Sequence, residues 1–174
     1  MTDNGMQYTS LGGPRQAGHI SVDPQGRLYV SADQGERGGL WRYDPGLSKE
    51  MAWTRLLDEH WIMNCAVDPV DPKRVAIATN QNPYTEVSQA TGVWLSADEG
   101  RSWSQQNDAL PMTRGWAIAI DPHDHEQVVF GSNGRGFWTC HWPTKFVPTS
   151  TRRYKSTAED AAFAQPLIEG ADGQ

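Results

Sequence analysis

Four groups of residues carry side chains suited to chemistry. Asp121-Pro122-His123-Asp124-His125-Glu126 crowds imidazoles and carboxylates, the ligand types of divalent cations, into six positions. An earlier copy of the same turn reads Asp68-Pro69-Val70-Asp71-Pro72, which favours a solvated turn over a cation site, and no metal is assigned. The loop from Asn80 to Ala90 is polar and holds one aromatic, Tyr84; a loop of this kind on a rigid sheet serves as a binding surface or is a neutral insertion. Trp61 and Trp116 begin expected strands, where an indole either stacks on a sugar ring or packs between sheets. Finally, Asp33, Asn80 and Asn133 end three expected strands, with Arg135 just beyond the last. A side chain at such a strand end caps its own loop by hydrogen bonding, and the other use is contact with a ligand.

These residues are positioned by a repeat. Three segments close on an apolar residue followed by Asp-Pro, at Val22-Asp23-Pro24, Val67-Asp68-Pro69 and Ile120-Asp121-Pro122. Each is followed by an apolar run (Leu28 to Asp33, Val75 to Asn80, Val128 to Asn133), then by a glycine and an aromatic strand (Gly39 to Tyr43, Gly92 to Ser96, Gly136 to Cys140). Alternation of apolar and polar residues has period two, and Asp-Pro ends the first strand because proline cannot donate to a ladder. The copies are spaced by 45 and 53 positions, from Asp23 to Asp68 and on to Asp121, which is the period of a four-stranded propeller blade. The expected inner strands are 18–23, 63–68 and 116–121, packing blade on blade through Ile20, Val22, Cys65, Val67, Ile118 and Ile120.

Within the second copy, Ser96-Ala97-Asp98-Glu99-Gly100-Arg101-Ser102-Trp103 fits the pattern Ser-x-Asp-x-Gly-x-Ser/Thr-Trp without a mismatch. It resembles an Asp-box, the hairpin turn that marks β-propeller blades in sialidases, xyloglucanases and sortilin-type receptors. Ser96, Asp98, Gly100 and Trp103 are then structural: Asp98 folds onto backbone N–H groups, Gly100 takes positive φ and Trp103 packs beneath the turn at the outer edge. The fold class expected is all-β, with about three four-stranded antiparallel blades of a β-propeller that form part of a larger ring. Blades are assigned to about 17–60, 61–112 and 113–148. Residues 1–16 read as the outer strand and exit loop of a preceding blade, and 149–174 as a flexible tail.

The first copy, Leu28 to Asp33 followed by Gly38-Gly39-Leu40-Trp41-Arg42-Tyr43-Asp44-Pro45, is similar to a xyloglucanase-type blade, as is Gly131-Ser132-Asn133-Gly134-Arg135-Gly136. The resemblance covers roughly residues 17 to 142 and places a catalytic acid/base at Asp33. The chain departs from that pattern in lacking the Arg-Thr before the Asp and in inserting Gln34-Gly35-Glu36-Arg37. Inverting glycoside hydrolysis needs two carboxyls about 6.5–9.5 Å apart, and only one of the three strand ends supplies one. Sialidase chemistry would need an arginine cluster, which Arg135 alone does not make.

The expected function is therefore a C-terminal fragment of a glycoside-hydrolase-like propeller with no complete active site of its own, facing a polysaccharide or glycan. The alternative is a non-catalytic Asp-box propeller that binds protein or glycan as an assembly scaffold. Remaining blades, or self-association, are expected to cover the open faces. Against 15 Lys and Arg stand 21 Asp and Glu, a net charge of −6 that disfavours a nucleic-acid partner. No run of about 20 apolar residues spans a membrane, and no cofactor is implied. No charged-then-apolar leader opens the sequence; if residues precede Met1, a secreted or extracytoplasmic location is the expectation. Cys65 and Cys140 sit on different strands and are not expected to pair.

Overall fold

The computed structural model describes residues 7–32, 38–81 and 90–149. Every regular element among them is a β-strand, and eleven strands form three antiparallel sheets. The first sheet runs β1 (Ala17–Val22), β2 (Leu28–Ala32), β3 (Gly39–Tyr43) and β4 (Trp53–Leu57), side by side in chain order. The second repeats this plan with β5 (Ile62–Val67), β6 (Val75–Thr79), β7 (Val93–Ser96) and the short β8 (Ser104–Gln105). The third holds β9 (Gly115–Ile120), β10 (Gln127–Ser132) and β11 (Phe137–His141). The three inner strands lie in three separate sheets, one residue earlier than the sequence placed them.

The same chemistry closes each first hairpin. The Asp23 carboxylate accepts N–H groups of Gln25 and Arg27, at 3.0 and 2.9 Å, and Asp68 and Asp121 accept those of Val70 and His123, both at 2.8 Å. An Asp followed by Pro thus ends one strand and caps the turn to the next.

Sheets stack face to face, and their two faces differ. Register puts Cys65, Ile77 and Trp94 on one face of the second sheet and Ala66, Ala76 and Leu95 on the other. The first face packs against Tyr29, Leu40 and Leu57 of the first sheet. The second meets Ile118, Ile120, Val128 and Phe130 of the third. Each junction therefore seats bulky side chains on a surface that is largely small at the inner strand, the shape match that close packing demands.

Ile20 and Val22, expected to pack between blades, meet no second blade among the described residues. Both are 56% exposed, because they share the face of β1 that points away from the second sheet, while Ser21 on the opposite face accepts the Val67 N–H at 3.1 Å. Beneath them Val30, Trp41 and Trp53 form a separate cluster. Residues 7–14, part of the segment read as the outer strand and exit loop of a preceding blade, lie in no strand here; the Leu11 carbonyl accepts the Trp53 Nε1–H at 2.8 Å. Residues 142–148, assigned to the third blade, continue it without a strand. Of the tail only Thr149 is described, and its N–H is donated to the Trp103 carbonyl at 2.9 Å.

Candidate functional site

Antiparallel pairing sorts the candidates onto two rims of the stack. The starts of β1, β5 and β9, the ends of β2, β6 and β10, and the loops that follow lie on one rim. The Asp-Pro turns and the Ser96–Trp103 turn lie on the other.

The turn rim is a structural belt. Asp98 Oδ1 accepts the Ser96 hydroxyl at 2.9 Å and the Ser102 N–H at 2.8 Å, and Oδ2 accepts the Ser102 hydroxyl at 2.7 Å. Burial opposes ionisation of Asp98, but the hydrogen bonds from Ser102, Ser96 and Arg101 together outweigh it and hold the carboxyl below its usual range. Gly100 sits at φ 84°, and a Cβ there would press on Leu56 of the preceding sheet. Trp103 is 1% exposed, donates its Nε1–H to the Gly100 carbonyl at 3.0 Å, and packs with Tyr29, Leu56 and Ile77. The turn thus joins the second sheet to the first, beyond the edge role read from the sequence.

Ion pairs reinforce this rim. Arg27 reaches back to Asp23 at 2.6 Å and across to Glu99 at 3.2 Å, while Arg42 contacts the same Glu99 at 3.5 Å. At the next junction His125 Nδ1 lies 2.9 Å from the buried Asp68, and Arg74 donates to the His125 carbonyl at 2.8 Å. Among the described residues no group of three or more His, Cys, Asp or Glu converges as a ligand set. In the Asp121–Glu126 turn, Asp121 and Asp124 accept backbone N–H groups of the turn itself.

The strand-end rim holds the remaining candidates. Asn80 is buried, accepts the Gln81 N–H on its side chain at 2.8 Å, and donates its own N–H to the Trp61 carbonyl at 2.8 Å. Asn133 repeats that backbone bond to the Arg114 carbonyl at 2.8 Å. Trp61 and Trp116 are accordingly not equivalent. Trp61 precedes β5 with φ 57°, a left-handed conformation rare for a bulky residue, whereas Trp116 lies within β9 and is 52% exposed. A bulge at Gly131/Ser132 shifts the pairing beside it. Arg135 is exposed in the turn that follows, its N–H bonded to the Ser132 hydroxyl at 3.1 Å. Asn80, Trp61, Asn133, Arg135 and Trp116 therefore share one rim. Asp33 and Tyr84 lie outside the described residues.

Between the second and third sheets a groove of about 140 Å³ opens beside Val93, Leu110, Phe130 and Trp138. Sequence reasoning missed it, because Leu110 and Trp138 come together only through packing. Both cysteines are free: Cys140 is exposed, and burial pushes the Cys65 thiol up to about 12.

No protein-family model matches the chain. By sequence it is similar to the xyloglucanase Xgh74A of Acetivibrio thermocellus, 29% identical over 127 residues that cover 64% of the chain and 14% of that enzyme. A xyloglucanase of Paenibacillus sp is 31% identical over 121 residues, covering 58% of the chain and 11% of the enzyme. Among solved structures, the GH74 xyloglucanase of Xanthomonas campestris superposes with TM-score 0.58 at 24% identity, over 75% of the chain and 20% of the enzyme. The GH74 enzyme of Niastella koreensis does so with TM-score 0.52 at 20% identity, over 71% and 22%. The chain is built of β-propeller blades. It spans about one seventh or less of the length of the curated relatives it matches.

Proposed function

We propose that the chain supplies Asp-box-type blades to a xyloglucanase-like propeller, that its strand-end rim faces a polysaccharide, and that it holds no complete active site. The observation that carries this reading is the rim itself: a half-exposed indole, Trp116, on the same rim as Asn133 and Arg135, with amides rather than carboxylates at both described strand ends. An aromatic face with nearby amide and guanidinium donors suits a neutral sugar chain, whose ring faces are apolar and whose hydroxyls hydrogen-bond. The similarity to xyloglucanases supports the substrate class.

Asp33 follows β2 in the sequence and is the one carboxylate of the set. One carboxyl is able to act as general acid or as general base, but inversion at a glycosidic carbon needs both roles at once, about 6.5–9.5 Å apart. The second would come from another face, outside these blades. Calorimetric titration with xyloglucan oligosaccharides tests the reading. Binding that falls tenfold or more in Trp116→Ala supports it; equal binding by the variant, or binding of sialosides alone, contradicts it.

A further inference from the structure

The pairing of inner strand with second strand breaks at the same repeat position in all three sheets. Ala17 pairs with Ala32 and His19 with Ser31, so Gly18 stands outside the pairing as an extra residue. Ile62 and Asn64 pair with Thr79 and Ala78 and leave out Met63, while Gly115 and Ala117 pair with Ser132 and Gly131 and leave out Trp116. Each extra residue lies five positions before the Asp of its Asp-Pro turn, Asp23, Asp68 or Asp121. These are β-bulges on the strand-end rim, and a bulge bends its strand and re-aims the side chain it carries.

Gly18 shows where that aim points. Strict alternation would set position 18 with Ile20 and Val22, on the face of β1 turned away from the second sheet. A Cβ at Gly18 would instead lie 3.5 Å from Ser31 Oγ and 3.7 Å from the Met63 carbonyl of the second sheet. The Ser31 hydroxyl fixes this turn of the chain by accepting the His19 N–H at 2.9 Å. Position 18 therefore faces the junction of the first and second sheets, which is internal to the stack, and it is exposed on the rim there.

Neither the backbone nor the packing calls for a glycine at this place. Gly18 is not among the glycines with positive φ, and its Cβ would make only ordinary van der Waals contacts. At Gly39 and Gly115, by contrast, a Cβ would collide with the Leu57 carbonyl and the Phe130 ring. The equivalent bulges carry methionine and tryptophan. What the glycine leaves is room, an exposed gap one side chain deep that the Met63 main chain borders.

We infer that the gap at Gly18 seats a sugar ring of the polysaccharide chain, and that the missing side chain decides which ligands the rim admits. The inference rests on the reading of the strand-end rim as a sugar surface. A bulged residue is left out of the ladder, and peptide groups freed in this way are donors and acceptors for ring hydroxyls. A side chain of the size found at the other two bulges would fill the seat.

Calorimetric titration of the parent, Gly18→Met and Trp116→Ala with xyloglucan oligosaccharides tests this. Gly18→Met should bind about tenfold more weakly or worse, with the circular dichroism and melting temperature of the parent. In Gly18→Cys, bound oligosaccharide should slow alkylation of the new thiol by iodoacetamide and leave the rate at the exposed Cys140 unchanged. That second readout decides the matter even where methionine at 18 impairs folding. Full affinity in a folded Gly18→Met, or alkylation of Gly18→Cys at the same rate with and without sugar, would overturn the seat; a loss of binding in Trp116→Ala beside either result would leave the rim reading standing alone. A parent that binds no oligosaccharide would overturn both.

Discussion

Trp103→Ala removes the largest side chain that the Ser96–Trp103 turn buries. The indole is 1% exposed and touches a cluster drawn from two sheets, and its Nε1–H is bonded to the Gly100 carbonyl. Truncating a buried Trp costs about 3–5 kcal/mol, since the cavity adds to the lost transfer energy. Against a total stability of about 5–15 kcal/mol this is a large fraction. At about 2–4 °C per kcal/mol for a chain of this size, the melting temperature should fall by roughly 6–20 °C. Trp116→Ala is the control: at 52% exposure it should shift the midpoint by about 2 °C or less. Thermal unfolding followed by tryptophan fluorescence and far-ultraviolet dichroism reads both. A Trp103→Ala midpoint within about 2 °C of the parent, or equal losses from the two variants, would refute the assignment of Trp103 to stability and Trp116 to the ligand rim.

Asp98→Asn should destabilise the protein near neutral pH and do so less in acid. The folded-state carboxyl is held below its unfolded value of about 3.9, so its contribution is present above that pH and lost as pH falls through the folded value; a stability difference independent of pH would contradict this. Glu99→Gln breaks the contact from Arg27 across the first junction and should cost about 1 kcal/mol or less, a loss that shrinks in about 1 M salt; a salt-independent loss measured by urea denaturation would sink the electrostatic reading. A thiol reagent should label Cys140 in the native protein and Cys65 only after unfolding, given its burial and raised pKa; rapid labelling of both would contradict the packing at Tyr29.

The strands were legible because their punctuation is chemical. Asp23, Asp68 and Asp121 each cap a turn with the same N–H acceptor geometry, so Asp-Pro marked β1, β5 and β9 to within a residue. Facing was less legible. Alternation identifies two faces of a strand but not which one has a neighbour, and Ile20 and Val22 turned out on the open side. The cross-sheet contacts of Arg27 with Glu99 and of His125 with Asp68 were also missed, although an Arg directly before the second strand in both of the first two copies was a usable signal. Trp61 and Trp116 looked equivalent as openers of inner strands, but Trp61 precedes β5 and holds the place of Arg114, while Trp116 lies inside β9. On the rim, residue types gave candidates for ligand contact, but Asn80 proved to be buried on its own loop.

Hydrolysis of xyloglucan by the purified 174-residue chain, beside an Asp33→Asn variant, is the most direct measurement. Blades with a single strand-end carboxylate should release no reducing sugar above the buffer rate, and the variant should be indistinguishable from the parent. Turnover by the parent that vanishes in Asp33→Asn would show that the chain holds a working catalytic carboxyl and would contradict the assignment of an incomplete site.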